Sequence, residues 1–184
     1  MRVFGVDPGS ERTGFGCIET DGQRHRLAVS GAIVVPARAT FPERLRLIHD
    51  ELAALLRQHT PDIVAIENLF TAANVRSALK LGHARGVAML AAVECGLTVV
   101  EYSPAEIKRA VVGYGRAEKH QVAEMVRLLL QLDEVPTPAD AADALAVAIC
   151  HVHAAGRVLA PNGQPGVLPK SWRHWRPPAG SRPS

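Results

Sequence analysis

The tightest constraint on this chain is the stretch Arg2-Val3-Phe4-Gly5-Val6-Asp7-Pro8-Gly9-Ser10. Val3, Phe4 and Val6 favour extended backbone, and Pro8-Gly9 breaks the strand immediately. The pattern predicts a short buried strand with one carboxylate, Asp7, exposed where it ends. Such an acid either caps its own turn by accepting backbone N–H groups or serves chemistry. Asp7 alone favours the turn cap. Three more carboxylates in similarly exposed settings, Glu67, Asp140 and Asp143, shift the balance toward chemistry.

The elements that follow limit where those acids can meet. Thr13 to Thr20 reads as a second strand, and Asp21-Gly22 signals a hairpin through a tight primed turn. A third strand runs from about Arg26 to Val35, completing an antiparallel meander. Thr40-Phe41-Pro42-Glu43 is a capping-box start. Leu45, Ile48, Leu52, Leu55 and Leu56 then line one face of a helix that Pro61 ends. Asp62 to Glu67 is the next strand, mostly apolar and parallel to its sheet partner. It also finishes on a carboxylate, so Asp7 and Glu67 are expected at one C-terminal edge, where open α/β sheets bind ligands.

After a short loop, Asn68 to Thr71, a long helix is predicted from about Asn74 to Glu94. Ala78, Gly82 and Gly86 form a stripe of small residues on it, suited equally to tight packing on the sheet or to a subunit contact. Thr98 to Tyr102 is a fifth strand, and Ser103-Pro104-Ala105-Glu106 opens a short helix bearing Lys108 and Arg109. Gly113-Tyr114-Gly115-Arg116 is a loop, followed by a helix from about Ala117 to Gln131. Lys119 near its start opposes the helix dipole, which fits a phosphate-binding role. The last helix opens at Thr137-Pro138-Ala139-Asp140, with Asp143 one turn further along the same face. Asp140 also fits a capping box; Asp143 has no such simple structural role. His151 and His153, two apart on a helix, do not share a face and are read as surface or core residues. Gly9 and Gly14 lack the Lys-Ser/Thr of a phosphate loop and are assigned to the turn and to close packing.

Composition bounds the rest. The chain has 184 residues, 47% of them apolar, and a net charge of +3. It suits one domain with a real core, and its mild basic excess permits nucleic-acid binding. Neither a membrane-length apolar run nor a signal peptide is apparent, and the scattered Cys17, Cys95 and Cys150 read as reduced core thiols. A cytoplasmic location is expected. Residues 1–156 form the predicted domain. Residues 157–184 are a basic tail rich in Pro and Gly, with Trp172 and Trp175 among its cations. The tail suits either a solvated extension or sequence-independent contact with nucleic acid. The predicted class is α/β: a mixed five-stranded sheet, antiparallel meander plus parallel strands, flanked by helices. Clustered acids need cations to neutralise them, and oxygen donors select hard ions such as Mg²⁺ or Mn²⁺.

The motifs G-V-D-P-G-S around Asp7, A-I-E-N-L-F around Glu67, S-A-L-K-L-G-H-A-R-G-V-A from Ser77, V-V-G-Y-G-R-A-E-K from Val111 and A-D-A-A-D-A-L-A around Asp140 and Asp143 occur in this order. Together they resemble the RuvC family of bacterial Holliday-junction resolvases, in the ribonuclease H-like superfamily. The resemblance spans residues 1 to about 155 and implies a ribonuclease H-like fold. It implies a homodimer that resolves four-way junction DNA by symmetric nicks, with a preference for certain cleavage sequences. Asp7, Glu67, Asp140 and Asp143 would be the catalytic carboxylates, holding two Mg²⁺ or Mn²⁺ ions. Lys108 and Lys119 would hold phosphates, and Phe70 would probe bases at the crossover. Asn74, Arg76, Lys80 and Arg116 are further candidate DNA contacts, and a RuvA–RuvB branch-migration complex is the implied partner. Asp143, one turn deeper, is expected to be the mildest of the four acids when substituted. Three rival readings are an RNA-processing nuclease on the same fold, an ATPase of the actin and sugar-kinase type, and a junction-binding protein without catalysis. The Phe70 loop and the Lys119 segment weigh against the first. The ATPase needs two such domains, and mere binding gains nothing from four acids.

Overall fold

The computed structural model describes residues 1–68 and 74–158. The tail from 159 onward and Phe70 lie outside the described residues. Ten elements follow in the predicted order: β1 (Arg2–Asp7), β2 (Arg12–Thr20), β3 (His25–Val34), α1 (Phe41–His59), β4 (Ile63–Glu67), α2 (Val75–Glu94), β5 (Thr98–Tyr102), α3 (Pro104–Val112), α4 (Lys119–Leu129) and α5 (Ala139–Val158). The sheet order is β3-β2-β1-β4-β5. β1 pairs antiparallel with β2 and parallel with β4, so it sits at the centre and joins the meander to the parallel half.

Local sequence accounts for most of the boundaries. Glu43 Oε2 accepts the Thr40 N–H at 2.7 Å, closing the start of α1. Thr60 ends that helix in a left-handed conformation, one residue before Pro61. At α3, Ser103 and Glu106 exchange the reciprocal bonds of a capping box. The hairpin between β2 and β3 differs from the expected tight turn. Thr20 pairs with His25, which leaves a four-residue connection. Asp21 Oδ1 accepts the N–H groups of Gln23 and Arg24, at 2.8 and 2.7 Å, and Gly22 alone takes positive φ. The Asp side chain therefore builds a wider loop that a two-residue turn would leave no room for.

Strand alternation sorts the core into two layers. Phe4, Val6, Val64 and Ile66 face α1 and α2, against Ile48, Leu52, Leu56 and a run of alanines on α2. Val3, Ile18 and Ala65 face α5, which α3 and α4 cover from outside. Leu145 and Ile149 of α5 are fully buried against the sheet, each worth about 1.5–3 kcal/mol of burial. Three glycines seat α5 on the strands. A Cβ on Gly5 would lie 2.0 Å from the Ala144 carbonyl oxygen, one on Gly14 2.0 Å from that of Asp140, and one on Gly16 2.6 Å from the Leu145 side chain. Gly14 thus serves close packing as expected, but against a helix.

The small-residue stripe on α2 does not pack on the sheet. Nothing lies within 4 Å of where a Cβ would stand on Gly82 or Gly86. The buried face of α2 is instead Ala84, Ala88, Ala91 and Ala92. Cys17 and Cys150 are buried and reduced, and Cys95 is half-buried. His151 is buried against the Tyr102 hydroxyl at 2.8 Å, and His153 bonds the Ala110 carbonyl, so both histidines serve the core. Among the described residues, no helix is long and apolar enough to cross a membrane.

Candidate active site

The alternation that sorts the core also aims the acids. On β1, Val3 and Gly5 face α5, and Asp7 follows them in step. On β4, Ile63 and Ala65 face the same way, and so does Glu67. The parallel register pairs Val6 with Ile66, so one residue further Asp7 and Glu67 stand side by side at the sheet edge. Asp7 does not cap its own turn. Thr13 closes that turn instead: its hydroxyl donates to the Gly9 carbonyl at 2.8 Å and accepts the Gly9 N–H at 3.3 Å. The Asp7 carboxyl is left to hydrogen-bond to Glu67.

Electrostatics define the cluster. Burial, then the charge of Glu67 and its hydrogen bond, then the charge of Asp143, push Asp7 up to about 8. Burial also raises Glu67, with Asp143 adding to the shift. Asp7 therefore holds a proton that it shares with Glu67, because two adjacent buried carboxylates resist double ionisation. Asp143 completes the group from the second turn of α5. Its Oδ2 accepts from Lys119 Nζ at 2.9 Å, and this bond, before any other cause, raises the lysine. Lys119 sits on the first turn of α4 with its side chain 81% exposed, so its ammonium bridges cluster and solvent. The charge of Lys108 on α3 also reaches Glu67.

Asp140 stands apart. It lies one turn before Asp143 and is not among the leading influences on Asp7 or Glu67. Its Oδ2 accepts from Arg12 Nε at 2.9 Å, at the start of β2. The structure thus brings together Asp7, Glu67 and Asp143, and turns Asp140 toward a guanidinium. Asp143, expected to be the mildest of the four on substitution, is the helix acid whose charge acts on Asp7 and Glu67, while Asp140 pairs with Arg12. Arg12 escaped the sequence reading; the available signal was its even-numbered step with Gly14 and Gly16 on the face of β2 toward α5.

The chain itself offsets much of the charge of the four acids: one shared proton leaves the Asp7–Glu67 pair with a single negative charge, Lys119 pairs with Asp143 and Arg12 with Asp140. Among the described residues no three His, Cys, Asp or Glu side chains already stand as a metal cage. The donor set, all carboxylate oxygen and mutually repulsive, nevertheless fits a hard divalent cation, which would displace the proton and the ammonium.

The other candidates scatter along the rim. Asn74 caps α2, accepting the Ser77 N–H at 2.9 Å. Arg76 and Lys80 lie on the exposed first turns of that helix, Lys80 with its ammonium 6.0 Å from the Phe41 ring centroid. Arg116 is exposed on the loop between α3 and α4.

Mixed sheet order, acids ending two adjacent parallel strands and a helix carrying further acids across them define a protein of the ribonuclease H-like class. The family model described as crossover junction endodeoxyribonuclease RuvC matches residues 3–151. The RuvC of Koribacter versatilis is 56% identical over 154 residues, covering 83% of this chain and 93% of its own. That of Trichlorobacter lovleyi is 46% identical over 183 residues, covering 96% and 100%. The structure of Thermus thermophilus RuvC in complex with Holliday junction substrate superposes with a TM-score of 0.81 at 36% identity, covering 85% of this chain and 95% of that one. The chain belongs to the RuvC family.

Proposed function

We propose that this chain resolves four-way DNA junctions by paired, symmetric phosphodiester hydrolysis in recombination and repair. The observation that carries the reading is the convergence of Asp7, Glu67 and Asp143 at one sheet edge beneath two lysines, in a chain that resembles a RuvC described with its junction substrate. Asp7, Glu67 and Asp143, joined by Asp140, would hold two Mg²⁺ or Mn²⁺ ions. Bound there, such ions supply Lewis acidity to the phosphodiester and make water nucleophilic near neutral pH.

The chain's own residues do the rest. The sheet edge fixes Asp7 and Glu67 on rigid backbone, so donor positions vary little. Lys119, once released from Asp143, pairs with a phosphate oxygen beside the scissile bond, and Lys108 neutralises the next. Phe70, three residues after Glu67 in sequence, enters the junction centre and unstacks bases. Arg76, Lys80 and Arg116 track the backbone, and Asn74 fixes the start of α2 beside it.

A second copy supplies the second nick. The open face of α2, with exposed Leu79 and Leu90 flanking Gly82 and Gly86, supports a homodimer joined there. A RuvA–RuvB complex would deliver the junction, in the cytoplasm. The test is cleavage of a synthetic four-way junction with and without Mg²⁺ and Mn²⁺. The parent should cut only with metal, and Asp7→Asn should lose nearly all cleavage. A folded Asp7→Asn that cuts at the parent rate would falsify the reading.

A further inference from the structure

Arg12 is the residue that ties Asp140 to β2. Gly14, two residues on, lets the first turn of α5 press directly on β2, since a Cβ there would meet the Asp140 carbonyl oxygen at 2.0 Å. That contact brings the Arg12 guanidinium to Asp140, Nε to Oδ2 at 2.9 Å, with the two side chains 48% and 31% exposed. Only Nε–H is engaged; among the described residues the two terminal NH₂ groups have no hydrogen-bond partner. A guanidinium presents its donors as a planar fork matched to phosphate oxygens. Here one edge of the fork holds a carboxylate, and the half-exposed side chain leaves the remaining donors open to solvent. Lys119 makes the corresponding ion pair on Asp143, from the first turn of α4.

We propose that Arg12 is a phosphate-binding and positioning residue of the nuclease site, holding Asp140 aside in the metal-free protein and exchanging it for a DNA backbone phosphate when cations enter. The proposal rests on the nuclease reading above. The exchange conserves charge: cations take over the neutralisation of Asp140, and the released guanidinium meets a phosphate that would otherwise face the acids unscreened. Arg12 and Lys119 then grip the strand from β2 and α4, on either side of the carboxylates.

The test uses the full chain with Arg12→Ala, Arg12→Gln and Arg12→Lys, and with Arg24→Ala as a control on the far hairpin. Two readouts are independent of turnover. Mn²⁺ binding without DNA, followed by the loss of free-ion EPR signal, should tighten several-fold in Arg12→Ala and Arg12→Gln, because the competitor for Asp140 is gone. With Mn²⁺ present, binding of a junction built with non-hydrolysable backbone linkages should weaken, and the slope of log affinity against log salt should fall by about 0.9, one phosphate contact. Arg12→Lys should recover the salt slope, and Arg24→Ala should match the parent. If the parent cuts junctions but Arg12→Ala and Arg12→Gln keep its Mn²⁺ affinity and salt slope, Arg12 is only a surface ion pair and the proposal is wrong. A parent that cuts no junction under any metal overturns the nuclease reading, and this proposal with it.

Discussion

Asp7 is the residue at which burial and function conflict most directly. Its raised pKa means that the folded protein binds a proton that the unfolded chain releases near pH 4. Between that value and about 8 the native state is the more protonated, so rising pH drains stability from the metal-free protein. Asp7→Asn removes this penalty at constant shape. In EDTA its Tm should exceed the parent's at pH 8, and the gain should shrink by pH 5, measurable by scanning calorimetry. An equal gain at both pH values would mean that Asp7 is not titrating there. The same variant should bind junctions in EDTA at least as well as the parent. Asp140 and Asp143 should separate in the opposite sense to their order along the helix. Asp143→Asn should slow single-turnover cleavage by on the order of 10²–10³-fold, and Asp140→Asn by less, because only Asp143 shares the buried charge of Asp7 and Glu67. A more damaging Asp140→Asn would show that Asp140 swings fully into the cluster. That Asp7 and Glu67 would meet at one sheet edge was legible from where two parallel strands stop. The pairing of Asp140 was not, because it depends on Arg12, a residue 128 positions from Asp140 in sequence.

At the scale of elements, the sequence declared all ten in order, since each carries its own punctuation: Pro8-Gly9, Asp21-Gly22, Pro61, and two Pro-containing capping boxes. What it left open was the seating of one element on another. The stripe Ala78, Gly82, Gly86 and the set Gly5, Gly14, Gly16 look alike as small residues, yet the first faces open space and the second is pressed by α5, by backbone at Gly5 and Gly14 and by the Leu145 side chain at Gly16. Composition cannot distinguish a glycine that admits a neighbour from one awaiting a partner. The two sets should respond differently to added bulk. Gly14→Ala should destabilise the protein by about 1–3 kcal/mol, as overpacking does, and should also impair cleavage by lifting Asp140 and Asp143 from the sheet edge. Urea denaturation would measure the first effect; an unchanged midpoint would mean that α5 shifts without cost.

For the whole molecule, the open face of α2 is the feature that a single chain leaves unexplained. Gly86→Leu fills a groove that contacts nothing within the protomer, so it should leave the fold intact and produce monomers that nick junctions singly. Sedimentation velocity on the variant and parent provides the check, and an undisturbed dimer would move the interface elsewhere. Phe70→Ala should abolish junction cleavage with little loss of Tm; a midpoint lower by many degrees would make it a core residue.

The glycine seating of α5 has a further consequence for how such a protein can change. Because backbone rests on backbone at Gly5 and Gly14, the height of the acid-bearing helix above the sheet is set by atoms that substitution elsewhere cannot resize. Leu145, Ile149 and their neighbours can exchange for other apolar shapes, trading stability up or down, while the carboxylates keep their spacing. The core is thereby free to drift, and the chemistry is anchored at a few positions where no side chain is admitted.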